Sequence, residues 1–378
     1  MPNKSSGWAQ PIAWLYAGFA LSGVATTLLG CILPALSITW HLDDRRAGLL
    51  FAAQFTGSAL GALLVQNNFF RSLISGYFLF VAGAISVALS TGFVEVLLFF
   101  VFGLGIGLTM TATSLSVGST FLQNRGSALS VLNAAWGLGA ASSPVLASLW
   151  IRRWSPMYLF LVLAVALMVP LFLISKYGSN LVPDNSRQSR DGFRHLGVLS
   201  IFGVVAFLYV GTEVSVSGWM MTYVHRLPTS SSVWAPLATS CFWVALICGR
   251  TLVPVVVRWL SESRLLTSSL AVAFVGVVLL IASRAPLFIV VSATFAGLVF
   301  APIFPLCLAK ALAQTQNSPE SKWIFAVSGL GGAVLPWMTG ELSAHSGSLS
   351  VGLLVPVFAL GTMMVLDWIS HVRQFSSP

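Results

Sequence analysis

WGLGAASSP, residues 136–144, and SGLGGAVLP, residues 328–336, are nearly the same phrase written twice in one chain. Gly137 and Gly329 stand 192 residues apart, and so do Pro144 and Pro336. Gly57 with Gly249 and Gly105 with Gly297 keep the same step. One glycine match means little in a chain with 33 glycines. A Gly-Leu-Gly followed by proline, in register with two further pairs, reads as an internal duplication. Both phrases lie in long apolar runs. In lipid, small residues let helix backbones approach closely, and a proline inside a span frees a carbonyl and permits a bend. Gly137, Gly139 and Pro144, with Gly329, Gly331 and Pro336, are therefore expected to form packing and gating elements, one in each half.

The rest of the chain supports that frame. Of 378 residues, 57% are hydrophobic and 8% charged, and the mean hydropathy is +0.89. Soluble domains carry about 25% charged residues, so this chain spans a bilayer. The net charge of +9 comes from nineteen Lys and Arg residues scattered singly or in pairs. They read as topology signals at membrane edges, not as a nucleic-acid face. Cys31, Cys241, Cys248 and Cys307 lie inside apolar segments without CxxC spacing, and the five histidines have no paired ligand spacing. No metal and no cofactor is implied. The polar start MPNKSSGWAQP runs into an apolar stretch too long for a signal-peptide core, so it reads as a retained first span.

A crossing needs about 20 apolar residues. Twelve segments qualify: 12–36, 46–66, 74–93, 95–117, 127–150, 156–176, 196–224, 233–257, 265–283, 287–309, 322–343 and 348–370. The polar stretch 177–195 splits them into six and six. The expected fold is an all-α integral membrane protein of twelve transmembrane helices in two pseudo-symmetric six-helix bundles, 1–176 and 196–378, joined by a cytoplasmic linker at 177–195. Basic residues are more numerous on the side that would hold both termini, which predicts N-in and C-in. That places the chain in a plasma membrane, the inner membrane if it is bacterial.

This layout resembles the major facilitator superfamily over essentially the whole chain. Within it, YVGTEVSVSGWMMTYV (209–224), FWVALICGR (242–250), GLVFAPIFP (297–305) and SGLGGAVLPWMTG (328–340) look like the fucose-permease-like sugar transporters. The resemblance implies parallel halves rocking about a site at the bilayer midplane. It also implies acids for proton coupling in spans one and four, where this chain has Gly30 and Met110. The loop after span two, QNNFFRSL, lacks the Asp-Arg and Gly-Arg-Arg pattern common in the superfamily.

Few residues inside the spans can do chemistry. Glu213 sits mid-span, where an ionised acid costs several kcal/mol unless solvated, paired or protonated. It is the expected proton-coupling residue or an acceptor for a substrate hydroxyl. Arg250 in span eight is expected to latch helices near the inner gate. Counted along the helices at about 1.5 Å per residue, the two lie at different depths, which argues against a direct ion pair. A sugar presents apolar C–H faces and rings of hydroxyls, and wants aromatic platforms with amide partners. Gln54, Asn133, Trp136, Trp243 and Trp337 lie near mid-depth, with Trp219 and Tyr223 nearer the outer mouth. The hydroxyl row Thr109, Thr111, Thr113 and Ser114 in span four reads mainly as helical glue.

No nucleotide loop of the GxxxxGK[ST] kind occurs, and no serine has a His/Asp partner at a plausible depth. The chain is not read as an enzyme. The expected function is transport of a neutral sugar, hexose- or fucose-like, by alternating access, through symport with a proton or sodium or by facilitated diffusion. A proton-coupled exporter of drugs or lipophilic compounds on the same fold is the alternative. A non-transporting receptor is a third reading, poorly served by the short tail and linker. Membrane lipid is the only other expected partner, and the chain is expected to be a monomer.

Overall fold

The computed structural model describes residues 10–66, 68–91, 94–121, 125–178, 196–228, 233–307 and 321–375. Among these residues the chain is helical throughout. The elements are α1 (Gln10–Thr39), α2 (Asp44–Leu63), α3 (Phe69–Ala88), α4 (Glu95–Thr120), α5 (Arg125–Ile151) and α6 (Tyr158–Tyr177). They are followed by α7 (Leu196–His225), α8 (Trp234–Val256), α9 (Glu262–Ala282), α10 (Pro286–Phe300) and α11 (Ser321–Ser346). A single turn, α12 (Leu349–Gly352), leads into α13 (Leu354–Phe375) with one residue between them, so the two serve as one crossing. Of the linker expected at 177–195, residues 179–195 lie outside the described residues.

Ten helical stretches are long and apolar enough to cross a membrane, one of them running from the start of α10 at Pro286 on to Cys307. The span expected at 322–343 is carried by α11, and the span expected at 46–66 is a helix that falls short of that apolarity. The reason is local composition, since α2 opens on Asp44, Arg45 and Arg46 and carries Gln54. Helices with polar faces survive in a bundle because neighbouring helices, not lipid, cover them.

The chain gathers into two compact units. One contains Met1–Leu29 and Ala53–Arg187, the other Gly30–Ala52 and Gln188–Pro378. The expected boundary near the linker is therefore joined by a second exchange, because the end of α1 and the start of α2 pack with the later helices.

In the first unit, α2 runs so close to α4 that a Cβ on Gly57 would strike the Phe100 carbonyl. A Cβ on Gly139 of α5 would likewise strike the Ala20 carbonyl of α1. The second unit repeats both devices. A Cβ on Gly249 of α8 would meet Ala301 and the Leu298 carbonyl beside α10, and one on Gly331 of α11 would strike the Phe207 carbonyl of α7. The pairs Gly57/Gly249 and Gly139/Gly331 thus do matching work in matching places. The pair Gly105/Gly297 does not. Gly105 faces Phe80 of α3 while Gly297 faces Phe242 of α8, and the first-unit residues that meet α2 are Gly103 and Gly107. The 192-residue step has drifted within that helix. Of the other repeated glycines, Gly137 is buried and Gly329 half-buried.

Each unit has its own aromatic core. Phe80, Phe99, Phe102 and Phe160 meet edge to face in the first. Phe242 meets Phe300 and Trp243 in the second, where Tyr209 also packs on Phe300.

Candidate functional site

The second unit holds a charged pair inside its spans. Arg250 of α8 donates from Nη2 to Oε2 of Glu213 on α7 at 3.2 Å. Both side chains are largely buried, with 25% of Arg250 and 10% of Glu213 exposed. The expectation that depth would keep them apart is wrong. Residues counted along two separate helices at about 1.5 Å apiece share no common origin, and a long arginine side chain bridges the offset that packing leaves.

The pair is incompletely satisfied. Arg250 Nε is buried with no hydrogen-bond partner. Ser217 donates to the Glu213 backbone carbonyl at 2.7 Å, while the carboxylate accepts from Arg250. Tyr209, one helical turn before Glu213, stands beside both charges. Its hydroxyl donates to the Phe300 carbonyl at 2.9 Å, and its ring stacks on Phe304 at 5.8 Å. A buried carboxylate beside a guanidinium with a spare N–H can hydrogen-bond a polar guest or take up a proton, and these are the two roles of such groups in a membrane.

The aromatic residues expected around substrate are differently placed. Trp219 is fully buried, its indole N–H donates to the Pro336 carbonyl at 3.0 Å, and Phe51 packs on it at 5.8 Å. Tyr223 is buried and donates to the Ile281 carbonyl at 2.8 Å. Trp243 is buried against Phe242, while Trp337 is half-buried. Pro336, the repeated proline of α11, thus has a second task as the acceptor that fixes Trp219.

In the first unit, Gln54 is buried and donates from Nε2 to the Thr26 carbonyl at 3.1 Å, and its Oε1 has no partner. Asn133 is exposed and bonds back to Leu129 at 2.9 Å, with Trp136 half-buried one turn on. Ser143, beside Pro144, reaches the Val24 carbonyl at 3.4 Å. Thr113 bonds back to Thr109 at 2.8 Å, as expected of helical glue.

Of the two positions where the resemblance implies acids, one is accounted for sterically. A Cβ on Gly30 would lie 2.7 Å from the Gly218 carbonyl oxygen, leaving no room for a carboxylate. Met110 is half-buried, its sulfur 4.0 Å from the Thr26 hydroxyl.

A second charged cluster lies near the helix ends of the same unit, and sequence reasoning misses it. Asp44, at the start of α2, accepts from Arg226 Nη1 at 2.7 Å and Nη2 at 2.6 Å, and from the Ser343 hydroxyl at 2.6 Å. Burial pushes the Asp44 carboxyl up, but the bonds from Arg226 and Ser343 outweigh it and hold the group below its ordinary value. Arg45 pairs with Glu341 beside it. A Cβ on Gly340 would strike the Asp44 carbonyl, so α11 and α2 meet backbone to backbone. By sequence, Arg45 and Arg226 are topology signals and nothing more. The one available cue is Asp44 itself, among ten acids in the chain. Among the described residues, no group of three His, Cys, Asp or Glu is placed to hold a metal ion.

Residues 15–318 match the family model described as Major Facilitator Superfamily. Among curated relatives, "Bypass of stop codon protein 6" of Saccharomyces cerevisiae is 23% identical, with 93% of this chain and 80% of the relative covered. The glucose/mannose transporter GlcP of Bacillus subtilis is 25% identical, with 86% of each covered. Among solved structures, the transporter FucP in its outward conformation matches at a TM-score of 0.65 and 14% identity, covering 96% of this chain and 98% of that one. A D-xylose-proton symporter matches at 0.75 and 18%, covering 93% and 96%. A peptide transporter, POT, matches at 0.75 and 13%, covering 95% and 93%. At these identities the structures establish the fold, which sugar and peptide carriers share.

Proposed function

This chain belongs to the major facilitator superfamily, a transporter and not an enzyme, and from that premise we propose that it carries a neutral sugar of the hexose or fucose type by alternating access. The observation that carries the reading is the Glu213–Arg250 pair. Its charges compensate each other, so the buried site offers donors and acceptors without net charge. That suits a polyhydroxylated neutral guest, whereas a charged guest would need an uncompensated partner. The likeness to GlcP, named as a glucose/mannose transporter, and to the xylose symporter fold supports the same class.

In this reading Gln54, Asn133, Trp136, Trp243 and Trp337 contribute to the sugar site, and Trp219 and Tyr223 hold its frame. Glu213 is the coupling group. Protonation would release Arg250 and change what the site can bind, which links a proton to transport without acids at positions 30 and 110. The repeated Gly and Pro residues of α5 and α11 serve the gating motion. The chain works as a monomer with both termini cytoplasmic.

The test is uptake of radiolabelled D-glucose, D-mannose, L-fucose and D-xylose into proteoliposomes, with and without pH and sodium gradients. Saturable uptake of at least one sugar, driven by the pH gradient in the native protein and only equilibrating in Glu213→Gln, is expected. Transport of lipophilic cations with no sugar competition would replace this reading with that of an exporter.

A further inference from the structure

We infer that Tyr209 is a positioning residue that ties the Glu213–Arg250 pair to a weak point in α10. The inference rests on the transporter reading for its use, but its physical content can be tested without a substrate.

The weak point is written in the sequence GLVFAPIFP, residues 297–305. Pro302 has no N–H to give the Leu298 carbonyl, and Pro305 has none for the Ala301 carbonyl. α10 accordingly ends at Phe300, and the chain resumes helical bonding beyond the interruption, where Leu306 donates to Pro302 at 3.1 Å. Two ladder bonds within one turn are missing, while Ala301 at the break keeps helical values of φ −52° and ψ −47°. Such a segment bends at low cost.

Two helices grip it, and both carry the charges. α7 holds the Phe300 carbonyl through the Tyr209 hydroxyl and lays the Tyr209 ring on Phe300 and Phe304, on either side of the interruption. α8 presses the bare backbone of Gly249 towards the Leu298 carbonyl, and Arg250 is the next residue. Glu213 lies one turn above Tyr209 on the same face of α7. The tyrosine is fully buried, so any change in the position or charge of Glu213 and Arg250 is felt by a phenol that cannot turn to water. The Tyr209 hydroxyl is therefore the rigid link through which the state of the pair sets the freedom of α10 to bend.

Hydrogen–deuterium exchange followed by mass spectrometry over residues 298–307 tests this in the full chain in detergent. The variants are Tyr209→Phe, Glu213→Gln and the double change, each accepted only if it is monodisperse; Arg250→Lys takes the place of Glu213→Gln if that variant is not. Each single change is expected to raise exchange in this segment about fivefold, and the double change to raise it no further, because both act through one link. Independent effects that multiply in the double variant, or no change in the segment with Glu213→Gln, would overturn the inference. Uptake then separates the two readings. A native protein that moves no sugar while the exchange result holds removes the sugar proposal and leaves the link standing. Sugar uptake with multiplying exchange effects does the reverse.

Discussion

Of the Arg–carboxylate pairs in the second unit, two are built in opposite ways. At the helix ends, Asp44 takes both nitrogens of the Arg226 fork and a serine hydroxyl, three bonds between 2.6 and 2.7 Å. Inside the spans, Glu213 takes one bond of 3.2 Å from an arginine whose Nε has no partner. The outer pair is where water is near and satisfaction is easy, yet it is the complete one. The inner pair is where an unmet bond costs most, yet it is left short. Satisfied groups hold a position. An undersatisfied pair in a dry site is poised for a proton or a guest to finish its bonding. Position in the bundle and completeness of bonding together separate the clasp from the working site.

Substitutions in the two pairs should differ in effect, the inner pair giving the largest loss. Arg250→Ala leaves Glu213 buried without compensation, at about 3 kcal/mol. Gradient-driven uptake in proteoliposomes should fall about 100-fold, and uptake close to the native rate would show that the inner pair does no work. Gly30→Asp installs the acid that the sugar-transporter resemblance implies, but its Cβ would stand 2.7 Å from the Gly218 carbonyl. We expect a loss of about 2 kcal/mol from overpacking, read as a lower melting temperature in detergent, and no gain in proton coupling.

Asp44→Asn weakens the clasp by about 2 kcal/mol, the worth of its charge-assisted bonds. The pH dependence fixes its sign. The Asp44 carboxyl is held below its ordinary value of 3.8, so its stabilisation is fully present above that value and is lost as pH falls below it. The melting-temperature gap between native and Asp44→Asn protein should stay flat from pH 5 to pH 8 and close only under about pH 4. A gap that closes near neutrality would mean the aspartate is not ionised as described. The smallest effect belongs to Arg45→Ala. Its ion pair with Glu341 is solvent-exposed, and such pairs contribute little. No measurable shift in melting temperature is expected, and a large one would make that pair part of the clasp.

How much of this is legible in the sequence depends on range. The Gly139/Gly331 repeat is readable because close backbone approach leaves a glycine in the sequence at a fixed step. Glu213 is readable because an acid is rare in an apolar run. Its partner is not, because residue counts along two separate helices share no common origin, and their offset is set by packing. Arg226 and Ser343 stand 182 and 299 residues along the chain from Asp44, and no local pattern announces a bond of that range. Trp219 and Tyr223 are readable as aromatics, but nothing local says that their donors are already taken by backbone carbonyls. Whether an indole faces a cavity or a carbonyl is decided by a neighbouring helix, here by Pro336.

The exchange of chain between the two units bears on any attempt to cut the protein in two. Because Gly30–Ala52 belongs with the later helices, a fragment starting at residue 188 would lack the Phe51 ring that covers Trp219 and the carboxylate that neutralises Arg226. Split halves expressed separately should therefore be poor material, whereas co-expression would restore them, since the missing piece arrives on the other polypeptide.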